Sequence, residues 1–163
     1  MGSDRNLARN PLEPIPSEIG NLVQLNGLQY KACFIDGIDF SKELKGPFTI
    51  LDSGYEYDVG VCRMIPDSPC GYTSTICQTN NQDNSYYIGN VEESTLVSVE
   101  NEDHDYEINF PAYTYQGYPR ASRIKIKCGG SEPVLNSVNE VILTDRRGSV
   151  YEFSFTTLCG AEV

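Results

Sequence analysis

At 163 residues the chain matches one ordinary domain, which argues against a multi-domain enzyme. With 39% apolar and 21% charged residues it can bury a sizeable core, and no run reaches the ~18 consecutive apolar residues that a membrane span requires. Twenty-three acidic against 12 basic residues give a net charge of -11, which repels nucleic-acid phosphates and anionic lipid alike, so any anionic ligand would need a local basic spot.

Residues 1–29 read as an N-terminal tail and 30–163 as the folded domain. The opening Met1-Gly2-Ser3 carries no apolar signal-peptide core, so a mature segment is expected, with targeting and any membrane attachment supplied by sequence outside it. The stretch from Leu12 to Leu28 has the leucine spacing of one plant-type leucine-rich repeat. One repeat cannot bury its own face, so Ile19, Leu22, Leu25 and Leu28 are expected to anchor a tail along the domain. From Tyr30 the pattern is that of strands. Tyr55, Tyr57, Val59 and Val61 alternate with Glu56, Asp58 and Gly60; Ile124, Ile126 and Cys128 alternate with Lys125 and Lys127; Tyr151, Phe153 and Phe155 alternate with Glu152 and Ser154. Turn clusters at Asp67-Ser-Pro, Thr79 to Asn84, Gly129-Gly130 and Asp145 to Gly148 separate these runs. The sum predicts an all-β fold, a flattened β-barrel or two-sheet sandwich.

Six cysteines at 33, 62, 70, 77, 128 and 159, with no C-x-x-C pair and His104 as the single histidine, favour disulfides over zinc. An oxidising compartment follows, either extracellular or the lumen of the secretory pathway. Between Leu51 and Phe110 there are 12 acids and one base, Arg63, whereas Pro111 to Val163 carries six bases and five acids. The acidic run from Glu100 to Glu107 lacks the spacing of an EF-hand loop and reads as a solvated loop. Enzyme signatures are few. His104 has no nucleophile elbow to serve, no phosphate-binding loop occurs, and the abundant carboxylates leave glycosidase chemistry open by residue type alone. No cofactor is expected.

Three segments in order then resemble a known family. Tyr55-Glu-Tyr-Asp-Val-Gly-Val-Cys-Arg is similar to a strand ending in Val-Cys-Arg, and Pro69-Cys-Gly-Tyr-Thr-Ser-Thr-Ile-Cys-Gln resembles a Cys-Pro-x-Gly-x-x-Ala-Cys hairpin. The pair Arg120-Ala-Ser-Arg-Ile-Lys-Ile-Lys-Cys and Tyr151-Glu-Phe-Ser-Phe-Thr-Thr-Leu-Cys resembles Arg-Ser-Thr-x-Ile-x-x-x-Cys and a closing Tyr-x-Phe-x-Trp-x-Thr strand. These patterns are those of the mannose 6-phosphate receptor homology domain, a β-rich lectin module, which the chain resembles over roughly Tyr30 to Cys159. The resemblance implies the pairing Cys33–Cys62, Cys70–Cys77 and Cys128–Cys159. A fourth bridge of eight-cysteine members would fall on Tyr115 and Ser149, which are lost together.

The family's mannose-binding members hold ring hydroxyls with a Gln, an Arg, a Glu and a Tyr. Carried over, the arginine is Arg120 and the tyrosine Tyr151, while the glutamine is Gln78 with Gln82 competing. The carboxylate is Asp145, with Glu140 further upstream as the alternative. Such a quartet suits vicinal hydroxyls, each of which donates and accepts. Arg120 shares strand parity with Ser122, Ile124 and Ile126, so it points inward if the isoleucines do and then needs a partner or a ligand. Pairing with Asp145 or Glu152 would satisfy it without a ligand, and Tyr151 would equally suit core packing beside Phe153 and Phe155. Arg146 and Arg147 offer an anion contact or a solvated hairpin tip. The implied function is non-enzymatic recognition of mannose-type or mannose 6-phosphate glycans on glycoproteins, in cargo sorting or glycoprotein quality control. The setting implied is the Golgi, endosome or ER lumen, or the cell exterior, as part of a larger membrane protein. The other reading is a protein-interaction or spacer domain of a sorting or autophagy receptor, binding protein cargo after the sugar site has decayed.

Overall fold

The computed structural model describes the backbone at 22–25 and 28–31, and residues 33–71, 74–130 and 132–160, the Arg146 side chain excepted. Most of the leucine-patterned stretch, including Ile19, lies outside the described residues. Its end forms a two-stranded antiparallel hairpin of β1 (Leu22–Leu25) and β2 (Leu28–Lys31), which crosses the expected boundary at residue 30. A second small hairpin, β3 (Phe34–Ile35) with β4 (Ile38–Asp39), runs into the single-turn helix α1 (Phe40–Glu43). Asp39 caps α1 by accepting from the Ser41 amide at 3.0 Å.

The remaining strands form two sheets. One contains β5 (Phe48–Asp52), β6 (Tyr55–Val59), β7 (Ser74–Asn80) and β8 (Ser85–Asn90), all antiparallel and in chain order. The other contains β9 (Thr95–Ser98), β10 (Tyr106–Tyr115), β11 (Tyr118–Cys128), β12 (Val134–Ile142) and β13 (Ser149–Thr157), in the order β12-β13-β11-β10-β9. Within it β11 and β13 run parallel, β12 being the hairpin partner of β13 at the sheet edge. The sheets face each other and do not close into a barrel, which is the two-sheet form of the expected all-β class.

The period-two runs behave as their patterns require. On β11, Ser122, Ile124 and Ile126 are buried; on β13, so are Tyr151, Phe153 and Phe155. They meet Tyr57, Val59, Ile76 and Ile88 of the opposite sheet in one core, with Phe48 edge-on to Phe155 at 5.0 Å and Tyr57 edge-on to Phe153 at 5.5 Å. Within the five-stranded sheet, neighbouring strands approach closely at a glycine. A Cβ at Gly148, just ahead of β13, would lie 2.8 Å from the Pro119 carbonyl, so only glycine lets β13 begin flush against β11.

Three disulfides join Cys33 to Cys62, Cys70 to Cys77 and Cys128 to Cys159, the pairing that the family resemblance implied. They fit an oxidising, secretory or extracellular environment.

The acidic run ahead of β10 departs from a simple solvated loop. His104 turns inward, 5% exposed, with Glu107 Oε2 at 2.7 Å from its Nε2 and Asp103 Oδ2 at 3.2 Å from its Nδ1. Asp103 in turn pairs with Lys125 at 3.0 Å. Partial burial alone would raise the Glu107 carboxyl, but the bonds from His104 and Asn109 and the charge of Arg123 outweigh it and hold its pKa below the usual value. A carboxyl depressed on folding adds stability above its unfolded pKa, and that contribution fades as pH falls through the lower folded value. Melting temperatures of the wild type and Glu107→Gln are therefore expected to differ at pH 6 and to converge as pH drops below the normal carboxylate range. A constant difference across that range would refute the assignment.

Candidate functional site

Near one end of the sandwich, inward-facing polar side chains from both sheets meet around Arg120. On β7, Gln78 has the parity of Ile76 and is fully buried; on β6, Tyr57 lies directly opposite it. From the other sheet come Arg120 near the start of β11 and Tyr151 on β13, with Ser149 the register partner of Arg120. The Arg120 Nη1 donates to Gln78 Oε1 at 2.6 Å and to the Tyr151 hydroxyl at 3.2 Å, while Gln78 Nε2 donates to the Tyr57 hydroxyl at 3.0 Å. Gln78, Arg120 and Tyr151 are thus brought together. The Tyr151 ring packs 5.8 Å from that of Tyr57, while its hydroxyl joins the cluster.

The carboxylate that completes the group is Glu140. Hairpin register places it opposite Tyr151 across β12 and β13, and its Oε2 accepts from Ser149 Oγ at 2.5 Å and from the Tyr151 hydroxyl at 3.5 Å. Asp145 lies elsewhere, exposed in the short 3-10 turn between those strands, with a left-handed φ of 65°. Gln82 likewise sits in the exposed β7–β8 turn, its amide bonded to Asn80. Arg147 is exposed beside Asp145.

Arg120 takes neither of the ion pairs considered for it. Glu152 lies on the outer face of β13 and is engaged by Arg123 at 2.7 Å and Lys125 at 3.5 Å. No carboxylate pairs with Arg120 among the described residues, and its buried Nε has no hydrogen-bond partner among them. Aromatic rings hold the guanidinium instead, Tyr86 at 4.2 Å and Tyr118 at 5.5 Å from its central carbon. Burial works against its charge, but the Tyr151, Tyr55 and Tyr86 hydroxyls outweigh that and leave its pKa raised. Burial likewise pushes the Tyr57 and Tyr151 phenols upward, in Tyr151 against opposing effects of Gln78 and Arg120. The site therefore presents a permanently charged donor fork, protonated hydroxyls and one carboxylate.

From a fully buried floor of Gln78 and Ser149, the cluster rises to a rim of Tyr55, Tyr86, Tyr118 and the exposed Glu140. An open depression of about 560 Å³ between the β5–β6 and β7–β8 turns, walled in part by Leu51, Asp52 and Tyr55, borders this rim without containing the cluster. Sequence reasoning did not place Tyr57 or Tyr118 here. Their signal was present as parity, because Tyr57 shares a face with Val59, and Tyr118 shares one with Arg120. No protein-family model matches the chain, and no curated protein matches it significantly.

Proposed function

We propose that the domain is a lectin-like module of the mannose 6-phosphate receptor homology type, binding mannose-type glycans through Gln78, Arg120, Glu140 and Tyr151. The observation that carries this reading is Arg120, held half-buried among neutral groups with no carboxylate paired to it among the described residues. A buried guanidinium without a counter-charge is costly, and a ligand that accepts from it repays that cost. A hexose offers adjacent hydroxyls that accept from Arg120, which Gln78 holds in place, and donate to Glu140. The activity is binding without turnover. The setting that suits it is the secretory lumen or cell surface, where glycoproteins are sorted or checked, within a larger membrane protein.

Calorimetric titration of the oxidised domain with mannose and mannose 6-phosphate near pH 6.5 tests the reading. Heat is expected for at least one of them, lost in Glu140→Ala and kept in Asp145→Ala. The reverse pattern would move the carboxylate to Asp145, and no heat from folded wild type would overturn the reading. A second reading, a protein-binding module, draws on Val141, Ile142 and Leu143, which are 39%, 50% and 43% exposed at the end of edge strand β12. Absence of heat would favour it.

A further inference from the structure

The two charged groups of the cluster do not touch, although they stand on the strands that flank β13 and each reaches the Tyr151 hydroxyl. Glu140 is exposed on an edge strand, where a carboxylate is free to swing toward the nearest cation. What restrains it is a short chain of hydrogen bonds. Ser149, 0% exposed, donates to Glu140 Oε2 at 2.5 Å, and because its single hydrogen is spent there, the Tyr118 hydroxyl at 2.6 Å must be the donor to Ser149 Oγ. The ring of the same Tyr118 flanks the Arg120 guanidinium.

We infer that Tyr118 and Ser149 are positioning residues of the proposed sugar site, holding the Glu140 carboxylate apart from Arg120 so that both remain available to ligand hydroxyls. This rests on the reading above. An Arg120–Glu140 ion pair would have to be broken by each incoming ligand, whereas a carboxylate anchored through Ser149 is already placed, and preorganisation of this kind improves affinity by removing a binding cost. Tyr118 thus touches both ends, its hydroxyl supporting Ser149 and its ring flanking Arg120, beside the Tyr151 hydroxyl that lies between the two charges.

The test is calorimetric titration of the oxidised full chain with methyl α-mannoside, with melting temperatures recorded alongside. Ser149→Ala and Tyr118→Phe, which keeps the ring, are each expected to bind about tenfold more weakly, the size of one lost charged hydrogen bond. Their combination should be no weaker than either alone, and Ser149→Thr should recover most of the affinity. In a Glu140→Gln background Ser149→Ala should change affinity little, whereas a purely structural serine would lower stability and affinity in both backgrounds. Wild-type binding with Ser149→Ala unchanged, or with fully additive losses, overturns the inference alone. No binding by the wild type removes the sugar reading, and the inference with it.

Discussion

Arg120→Ala is expected to weaken mannose binding at least a hundredfold, beyond the range of ordinary titration. The guanidinium makes two hydrogen bonds in the cluster and keeps further donors for a ligand, and each charged hydrogen bond is worth about 1.5–3 kcal/mol. The fold should suffer less than the site. Truncation strands the fully buried Gln78 Oε1, at a cost of about 1–3 kcal/mol, but leaves the Phe153, Phe155 and Ile126 core intact. Arg120→Lys separates charge from shape, because an ammonium can still donate to Gln78 while lacking the planar fork. It should retain nearly all the stability and lose most of the affinity. If Arg120→Lys binds as the wild type does, the fork is not what the sugar reads. If Arg120→Ala binds normally, the site lies elsewhere.

Removing one disulfide should produce the largest effect on stability. Cys128 and Cys159 close a loop spanning 31 residues that contains all of β12 and β13, and in the chain-entropy account such a closure contributes about 3–4 kcal/mol. The bridge lies at the far end of the parallel β11–β13 pair, just beyond the Cys128–Thr157 register point. Two parallel strands cannot be joined by a tight turn, so β11 and β13 depend on this tie more than a hairpin would. Paired Cys128→Ser and Cys159→Ser substitution is expected to lower the melting temperature on the order of 10 °C. The same treatment of Cys70 and Cys77, only seven residues apart, should cost distinctly less. Equal losses from the two pairs would show that loop entropy is not the controlling term. Because the longer loop carries Glu140, Ser149 and Tyr151, its loss should also weaken sugar binding at temperatures where the chain is still folded.

Where one face of a strand meets a continuous core, the chain declared its structure directly. The alternation at Tyr55–Val59, Ile124–Cys128 and Tyr151–Phe155 needed no partner information, since burying one face of a pleated strand requires apolar residues two apart. β12 shows the opposite case. It is an edge strand on which only Val138 is buried, with a register shift between Leu135 and Ser137, so its sequence lacks clean alternation and Glu140 resembled any other surface acid. The inward direction of Arg120 was readable from its parity with Ile124 and Ile126. That Glu152 would be engaged on the opposite face was contained in the same parity, one residue from Tyr151.

The sequence by itself determined the all-β class and the faces of the principal strands, and its family resemblance supplied the cysteine pairing, Gln78, Arg120 and Tyr151. All of these are either local or carried by short motifs with fixed offsets. Tertiary structure alone decided which carboxylate stands among these residues and what it bonds to. Glu140 stands 11 positions before Tyr151 in the chain, yet the β12–β13 hairpin sets it directly opposite, while the nearer Asp145 is carried out to the turn. Tyr118 and Tyr57 belong to different sheets, and the two halves of the cluster meet, through Arg120 and Gln78 and through the Tyr57 and Tyr151 rings, only when those sheets pack. Periodicity fixes which way a side chain points from its own strand; register and sheet packing fix what it meets there, and those depend on segments far apart in the chain.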